Sequence, residues 1–532
     1  MCGIAGIIGP DANEIMLIQL LKPISHRGEL NYRNEVLVMP NAAIGAHRLA
    51  IVDELKGKQP KQVLDQNIFS VFNGEIYNHA EIREQLISEK PFLSNCDSEV
   101  VLHAYLKWGD DFVNHLDGKF AVAIYDNNNK TLILARDPMG VKPIYYAQYG
   151  KNLVFSSELK SLVTIKDDSM EIIELEPGAI WKNGVAKKYF NLGHFSNQHT
   201  SDLSFTDYLP KLKSHLVEAV RKRIPKESFR IASLLSGGID STIITYIASK
   251  IHSNVVAYTL AAPNMPSADL EAAKMFCQRF DIEHIIVSPS VEEMQEFYIQ
   301  EGVYMTESFE PVLVRNAVSY NFLCRKVVAD GFKYCLNGEG ADELFGGYDF
   351  VKEVPPSQQD NVIWHSLSII HRTYLQMADR ASMYSTLEAR VPFMDKNLVA
   401  FCLSLPPEAR IFGDNNKVIL RKLFENELPD SITNRRKTGM NEGSGFGVNA
   451  SQTSIYFDAV KVYYEHNPNK YKEDLALCKE RTPIDNIDLT SIEEVFHFAK
   501  FVRLQYIKLI GSTKRLQLNT KLKQELKMQL SA

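Results

Sequence analysis

Apolar residues recur along this chain in two rhythms, and the change between them divides it. In the first third, short apolar runs alternate with polar loops: Cys2–Ile8, 68–72, 120–125 and 131–135. Each run is of strand length, so this region reads as a sheet-rich domain with loops at its strand ends. From about residue 207 the rhythm alternates between strand and helix. Residues 229–235 read as a buried strand. Residues 241–251 read as a helix with Ile243, Ile244, Ile247 and Ile251 on one face. Strands at Val255–Leu260, 284–287 and 333–336 follow, interleaved with helices at 269–280 and 312–328. That alternation predicts a parallel sheet wound on both sides by helices. Ligands then sit at the C-terminal ends of the strands. Residues 190–206 are small and polar, as in a linker. Beyond residue 450 the pattern predicts an amphipathic helix at 492–510 and a Lys/Leu-rich surface helix after it. The expected domains are 2–190, 207–450 and a helical C-terminal extension, 451–532.

Composition changes this picture little. A chain of 532 residues is long enough for several domains, and 45% hydrophobic with 23% charged residues is ordinary for a globular protein. The net charge of −6 offers no bulk attraction to nucleic acid. The basic clusters Arg221-Lys222-Arg223 and Arg435-Arg436-Lys437 are local. Seven scattered cysteines, none in Cys-x-x-Cys spacing, indicate neither a zinc site nor a disulfide framework. No apolar run reaches the roughly 18 residues of a membrane span. With no charged leader at the start, a cytoplasmic location is the expectation.

Three stretches carry chemistry. Ser236-Gly237-Gly238-Ile239-Asp240-Ser241 lies between an expected strand and an expected helix. Its glycines permit a tight turn and close approach of a ligand, and the N–H groups of such a turn at a helix start bind anions. No Gly-Lys-Ser/Thr follows; Asp240 instead suits Mg²⁺ holding phosphates. A second polar loop, Asn337-Gly338-Glu339-Gly340-Ala341-Asp342-Glu343, follows another strand. Asp240 and Asp342 can share a Mg²⁺, and Glu339 can orient or deprotonate an attacking group. Lys437 can stabilise charge near an α-phosphate. The other stretch is the N-terminus. Removal of Met1 makes Cys2 the first residue, with its nucleophile and a base, the α-amine, on one residue. Asn73 and the Gly74 N–H can supply an oxyanion hole, Arg48 a fork for a carboxylate, and Asp97 a partner for an ammonium group.

The six-residue glycine loop resembles the pyrophosphate loop of ATP pyrophosphatases. Residues 2–190 resemble the class II glutamine amidotransferase domain, an N-terminal-nucleophile hydrolase with an αββα sandwich. Residues 135–143 and Phe155-Ser156-Ser157-Glu158 add to that likeness. Over residues 1–450, including Gly338-Glu339-Gly340-Ala341-Asp342-Glu343-Leu344-Phe345-Gly346-Gly347-Tyr348, the chain resembles the glutamine-hydrolysing asparagine synthetases. The resemblance implies an N-terminal αββα sandwich followed by a doubly wound parallel-sheet ATP-pyrophosphatase domain. It implies Cys2 as nucleophile, with Arg48, Asn73, Gly74, Glu75 and Asp97 forming the glutamine site. It implies ATP contacts at Leu234, Ser236, Gly237, Gly238, Asp240, Ser241, Leu260, Asn337 and Gly338. Asp240 and Asp342 are implied as Mg²⁺ ligands, Glu339 and Lys437 as catalytic, and Arg315 as acceptor-binding. The implied activity takes ammonia from glutamine, passes it inside the protein, and joins it to an aspartate activated by ATP as β-aspartyl-AMP. A homodimer is the expected assembly, with no nucleic-acid or membrane partner.

Two positions depart from the family pattern. Glu29-Leu30 stands where the family has Pro-Asp, and Val312 where it often has Thr. The same chemistry on another carboxylate acceptor is the rival reading they allow. A non-catalytic homologue would have lost Cys2, Asp240 or Asp342, and all three are present.

Overall fold

The computed structural model describes residues 1–504 apart from 64, 89, 166–169, 195–204, 226–228, 407–408, 413–414, 448–453 and 482–490. Much of the expected linker and all of the expected Lys/Leu-rich helix fall outside the described residues. The rest forms two compact units, 1–191 and 192–503. Among the described residues no helix is long and apolar enough to cross a membrane.

In the first unit the strands are β1 (Cys2–Ile8), β2 (Glu35–Met39), β3 (Ala42–Arg48), β4 (Lys61–Gln62), β5 (Ile68–Ile76) and β6 (Gly118–Asp126). They continue as β7 (Thr131–Arg136), β8 (Tyr145–Tyr149), β9 (Asn152–Ser156), β10 (Ile172–Glu174), β11 (Ala179–Lys182) and β12 (Val185–Lys188). They make two six-stranded sheets, ordered β10-β8-β9-β1-β3-β2 and β12-β11-β7-β6-β5-β4. Side chains alternate between the faces of a strand, and here both faces are covered. Phe69, Val71, Ala121, Ala123, Leu132 and Leu134 pack with Ile4, Ile44 and Ala46 of the other sheet. Their neighbours Ile68, Phe72, Val122, Ile124 and Ile133 pack with Val100, Val101 and Ala104 of the helix Asp97–Trp108. Burial on both sides is why these strands read as continuous apolar runs. The helix Glu14–Leu21 packs on β1 and β3, so the layers are helix, sheet, sheet, helix.

The second unit holds β13 (Ile231–Leu234), β14 (Val255–Leu260), β15 (Glu283–Val287), β16 (Tyr334–Leu336) and β17 (Glu388–Arg390). They are parallel and ordered β15-β14-β13-β16-β17. The chain moves outward from β13 in one direction through β14 and β15. It then returns to the other side of β13 with β16. The loops after β13 and β16 therefore diverge, which is where doubly wound sheets open a ligand crevice. β13 is shorter than the strand expected at 229–235: Phe229 is exposed and lies outside the ladder. The amphipathic helix runs Ile492–Arg503, and residues 505–510 fall outside the described residues. With the helix Ile455–His466 it packs on the helix Val291–Thr306, placing Tyr456 and Phe496 in one core with Tyr298.

Candidate active sites

In the first unit the strand register brings the expected residues together. Cys2 pairs with Arg48 across β1 and β3. Cys2, Ile4, Ile44, Ala46 and Arg48 are all even-numbered positions, and the inner-facing residues of β5 are odd-numbered, with Asn73 among them. Cys2 and Asn73 are both buried, and the Cys2 N–H donates to Asn73 Oδ1 at 3.1 Å. That bond orients the Asn73 amide and leaves Nδ2 buried with no hydrogen-bond partner among the described residues. Gly74 cannot be another residue: a Cβ there would lie 2.2 Å from the Lys119 carbonyl of β6. Asp97 starts the helix Asp97–Trp108, and its Oδ2 accepts the Ile76 N–H at 2.9 Å. Glu75 is buried one residue from Gly74.

The Arg48 fork is already engaged. Nε meets Glu35 Oε1 at 3.1 Å, both terminal nitrogens donate to the Glu54 carbonyl at 3.1 Å, and the guanidinium lies 4.3 Å from the Tyr32 ring centroid. Burial pushes the Cys2 thiol up, against the chain's positive terminus. A second buried group holds the Cys2 backbone: Arg27 donates from Nε to the Cys2 carbonyl at 3.1 Å and pairs with Glu158 at 2.6 Å. The departure at Glu29-Leu30 is accommodated. Glu29 accepts the Ala50 N–H at 3.0 Å, its own N–H bonds the Arg48 carbonyl at 3.0 Å, and Leu30 points to solvent.

In the second unit the glycine loop turns at Gly237, whose φ of +70° favours glycine. A Cβ there would also lie 2.6 Å from Ala272. Ser241 Oγ accepts the Ser236 N–H at 3.1 Å, closing the loop on the start of the helix Ile239–Ile251. Gly338 from the other loop packs so closely that a Cβ would lie 2.8 Å from the Ser241 nitrogen. A cavity of about 520 Å³ opens between the loops. Leu234, Ser236, Asp240, Ser241, Leu260 and Arg315 line it, with Asn337, Gly338, Glu339, Asp342 and Lys437. Gly237 and Gly238 shape the loop without lining it.

Four charges close on one another here. Lys417 Nζ sits 2.5 Å from Asp240 Oδ2 and 2.5 Å from Asp342 Oδ1, and Lys437 pairs with Asp342 Oδ2. Burial would raise Asp342, but the two lysines outweigh it and hold the carboxyl well below the usual range. Lys437 is correspondingly raised, because Asp342 and Asp240 outweigh its own burial. Glu339 is pushed up to about 8, first by burial and then by Glu343. Arg315 projects from the helix Pro311–Ala329 with its guanidinium on the cavity wall. Its Nε donates to Glu493 Oε1 at 2.8 Å, its Nη2 donates to Oε2, and Tyr298 donates to the same carboxylate. Val312 lies on the same wall and is 54% exposed.

Three residues in these sites were not singled out in the sequence. Lys417 stands in a lysine-bearing stretch, but nothing local marks it as the partner of two distant aspartates. Glu493 is an ordinary first-turn acid of an amphipathic helix. Gln59 is a loop glutamine whose side chain reaches the Cys2 sulfur at 3.1 Å.

Residues 1–186 match the glutamine amidotransferase domain family, and residues 211–364 and 355–453 match the asparagine synthase family. Over 471 residues the chain is 31% identical to asparagine synthetase [glutamine-hydrolyzing] 2 of Oryza sativa subsp. japonica, covering 84% of this chain and 78% of that one. It is 30% identical over 485 residues to the nodule asparagine synthetase [glutamine-hydrolyzing] of Pisum sativum, covering 84% and 79%. It is also 30% identical over 510 residues to asparagine synthetase [glutamine-hydrolyzing] of Sandersonia aurantiaca, covering 89% and 94%.

Proposed function

Because the chain belongs to the glutamine-hydrolysing asparagine synthetase family, we propose that its two units carry the two halves of that reaction on the residues described above. The first unit hydrolyses glutamine to glutamate and ammonia. With Met1 removed, the α-amine of Cys2 takes the thiol proton, and the sulfur attacks the side-chain amide carbon of glutamine. The oxyanion accepts hydrogen bonds from Asn73 Nδ2, buried and otherwise unpartnered, and from the Gly74 N–H. Arg48 and Asp97 hold the α-carboxylate and α-ammonium, with Glu75 beside them. Ammonia leaves, and water releases glutamate from the thioester.

The second unit activates aspartate. ATP lies across the glycine loop, between Leu234 and Leu260 on one side and Asn337 and Gly338 on the other. The aspartate β-carboxylate attacks the α-phosphorus, and pyrophosphate departs. Ammonia then attacks the acyl carbon of β-aspartyl-AMP, and AMP leaves. Arg315 holds the acceptor, Lys437 stabilises charge at the α-phosphate, and Glu339, as the carboxylate, takes the proton of the attacking ammonia.

The residues fit Mg²⁺. Asp240 Oδ1 is buried without a hydrogen-bond partner among the described residues, and an ammonium group already bridges Asp240 and Asp342. Two carboxylates completed by phosphate oxygens are a common Mg²⁺ set. Bound there, the ion would neutralise phosphate charge. The observation that carries this reading is the convergence of both aspartates, Glu339, Lys437 and Arg315 on one cavity. Glutamine- and ATP-dependent AMP release, assayed over a series of acceptor carboxylates with aspartate first, tests it. No AMP release at millimolar aspartate, with glutamine hydrolysis intact, would remove aspartate as the acceptor.

A further inference from the structure

We infer that Gln59 is a catalytic residue of the first site, its side-chain amide donating to the Cys2 sulfur and stabilising it as the attacking thiolate. The inference rests on the reading of Cys2 as nucleophile. Gln59 is 2% exposed, and both ends of its amide are engaged. Oε1 accepts the Phe72 N–H at 2.7 Å, while Nε2 donates to the Phe72 carbonyl at 3.0 Å and to Cys2 Sγ at 3.1 Å. Those partners decide which end of the amide faces the sulfur. Only the oxygen can accept from the Phe72 N–H, so the NH₂ group must point at Cys2.

A hydrogen bond to a charged acceptor is stronger than one to a neutral acceptor. The bond from Gln59 therefore gains strength once the thiol proton has left, and it offsets the burial that disfavours a thiolate. Gln59 keeps both its protons throughout. The thiol proton passes to the α-amine, and the sulfur's electron pair forms the bond to the amide carbon. The main chain of Gln59 is tied in as well, its N–H donating to Glu35 Oε2 at 2.8 Å beside Arg48. The charged groups facing the sulfur are the Met1 ammonium, replaced by the Cys2 α-amine once Met1 is removed, and Arg48, which favour the thiolate, and Glu35, which opposes it. All three persist when residue 59 alone is changed.

The test measures the pH dependence of Cys2 alkylation by iodoacetamide, together with glutamine hydrolysis, in the mature full chain and in Gln59→Met and Gln59→Glu. Met removes the donor. Glu keeps the acceptor for the Phe72 N–H and places a carboxylate against the sulfur. The apparent thiol pKa should rise in both variants, further in Gln59→Glu. kcat for glutamine should fall roughly tenfold to hundredfold, with KM held within about threefold. If Gln59→Met does not fold, Gln59→Glu decides. Alkylation profiles that match the unmodified chain would overturn the inference even if kcat falls, because a structural residue would lower kcat without moving the thiol's titration. Glutamine hydrolysis surviving in Cys2→Ala would instead break the reading on which the inference rests.

Discussion

In the first unit Cys2 is held by amide groups on or beside neighbouring strands, its main chain by Asn73 and its sulfur by Gln59. In the second, the two aspartates are held by lysines. The first arrangement is set by sheet register: once β1 lies beside β3, and β5 in the facing sheet, Cys2, Arg48 and Asn73 meet without further adjustment. For its fork to take a carboxylate, Arg48 must give up Glu35 or the Glu54 carbonyl. The second arrangement balances two negative charges with two positive ones. Those four groups pair with one another, so ligand binding must exchange partners among them. Neutral hydrogen bonds suit a reacting group that is an uncharged amide. Compensating charges suit a site proposed to take in a triphosphate and its cation.

The strongest way to break this comparison is Cys2→Ala. Glutamine-dependent asparagine formation should disappear, while synthesis from ammonium persists at the separate second site. Loss with both nitrogen sources would mean that the two sites are not independent. The converse change is Asp240→Asn or Asp342→Asn, or chelation of Mg²⁺. AMP formation should then stop with either nitrogen source while glutamine hydrolysis continues, measured as glutamate released. Normal AMP release in either variant would contradict the metal role.

A smaller effect is expected at Arg315. Arg315→Lys keeps the charge and loses the fork. Because Nε and Nη2 already serve Glu493, the substitution also removes the brace that aims the group at the cavity. kcat/KM for aspartate should fall roughly tenfold to hundredfold, and kcat/KM for glutamine should not change. The smallest effect is expected from Val312→Thr, which restores a hydroxyl on an exposed part of the cavity wall. KM for aspartate should move by no more than about threefold. A larger shift would mean that position 312 helps to select the acceptor.

Local pattern alone determined a good deal of this protein. The glycine loop, the strands that flank it and the helix after it were legible because turn chemistry and apolar periodicity act over a few residues. Val255–Leu260 forms as expected, and the helix predicted at 269–280 begins one residue earlier, at Ala268. β13 fell short because Phe229 extends the apolar run but, being exposed, has no core to join. The N-terminal domain was legible as sheet-rich for a related reason: strands covered on both faces have no polar alternation to interrupt them. That its sheets form a sandwich was implied only by the family resemblance. What only the tertiary structure decided are the partnerships between distant side chains. Nothing near Gln59 shows that its amide meets Cys2, nothing near Lys417 shows that it bridges Asp240 and Asp342, and nothing near Glu493 shows that it braces Arg315. A hydrogen bond or ion pair of this kind depends on where the backbone places two residues, often more than a hundred positions apart. A periodicity of two or 3.6 residues carries no information over that distance.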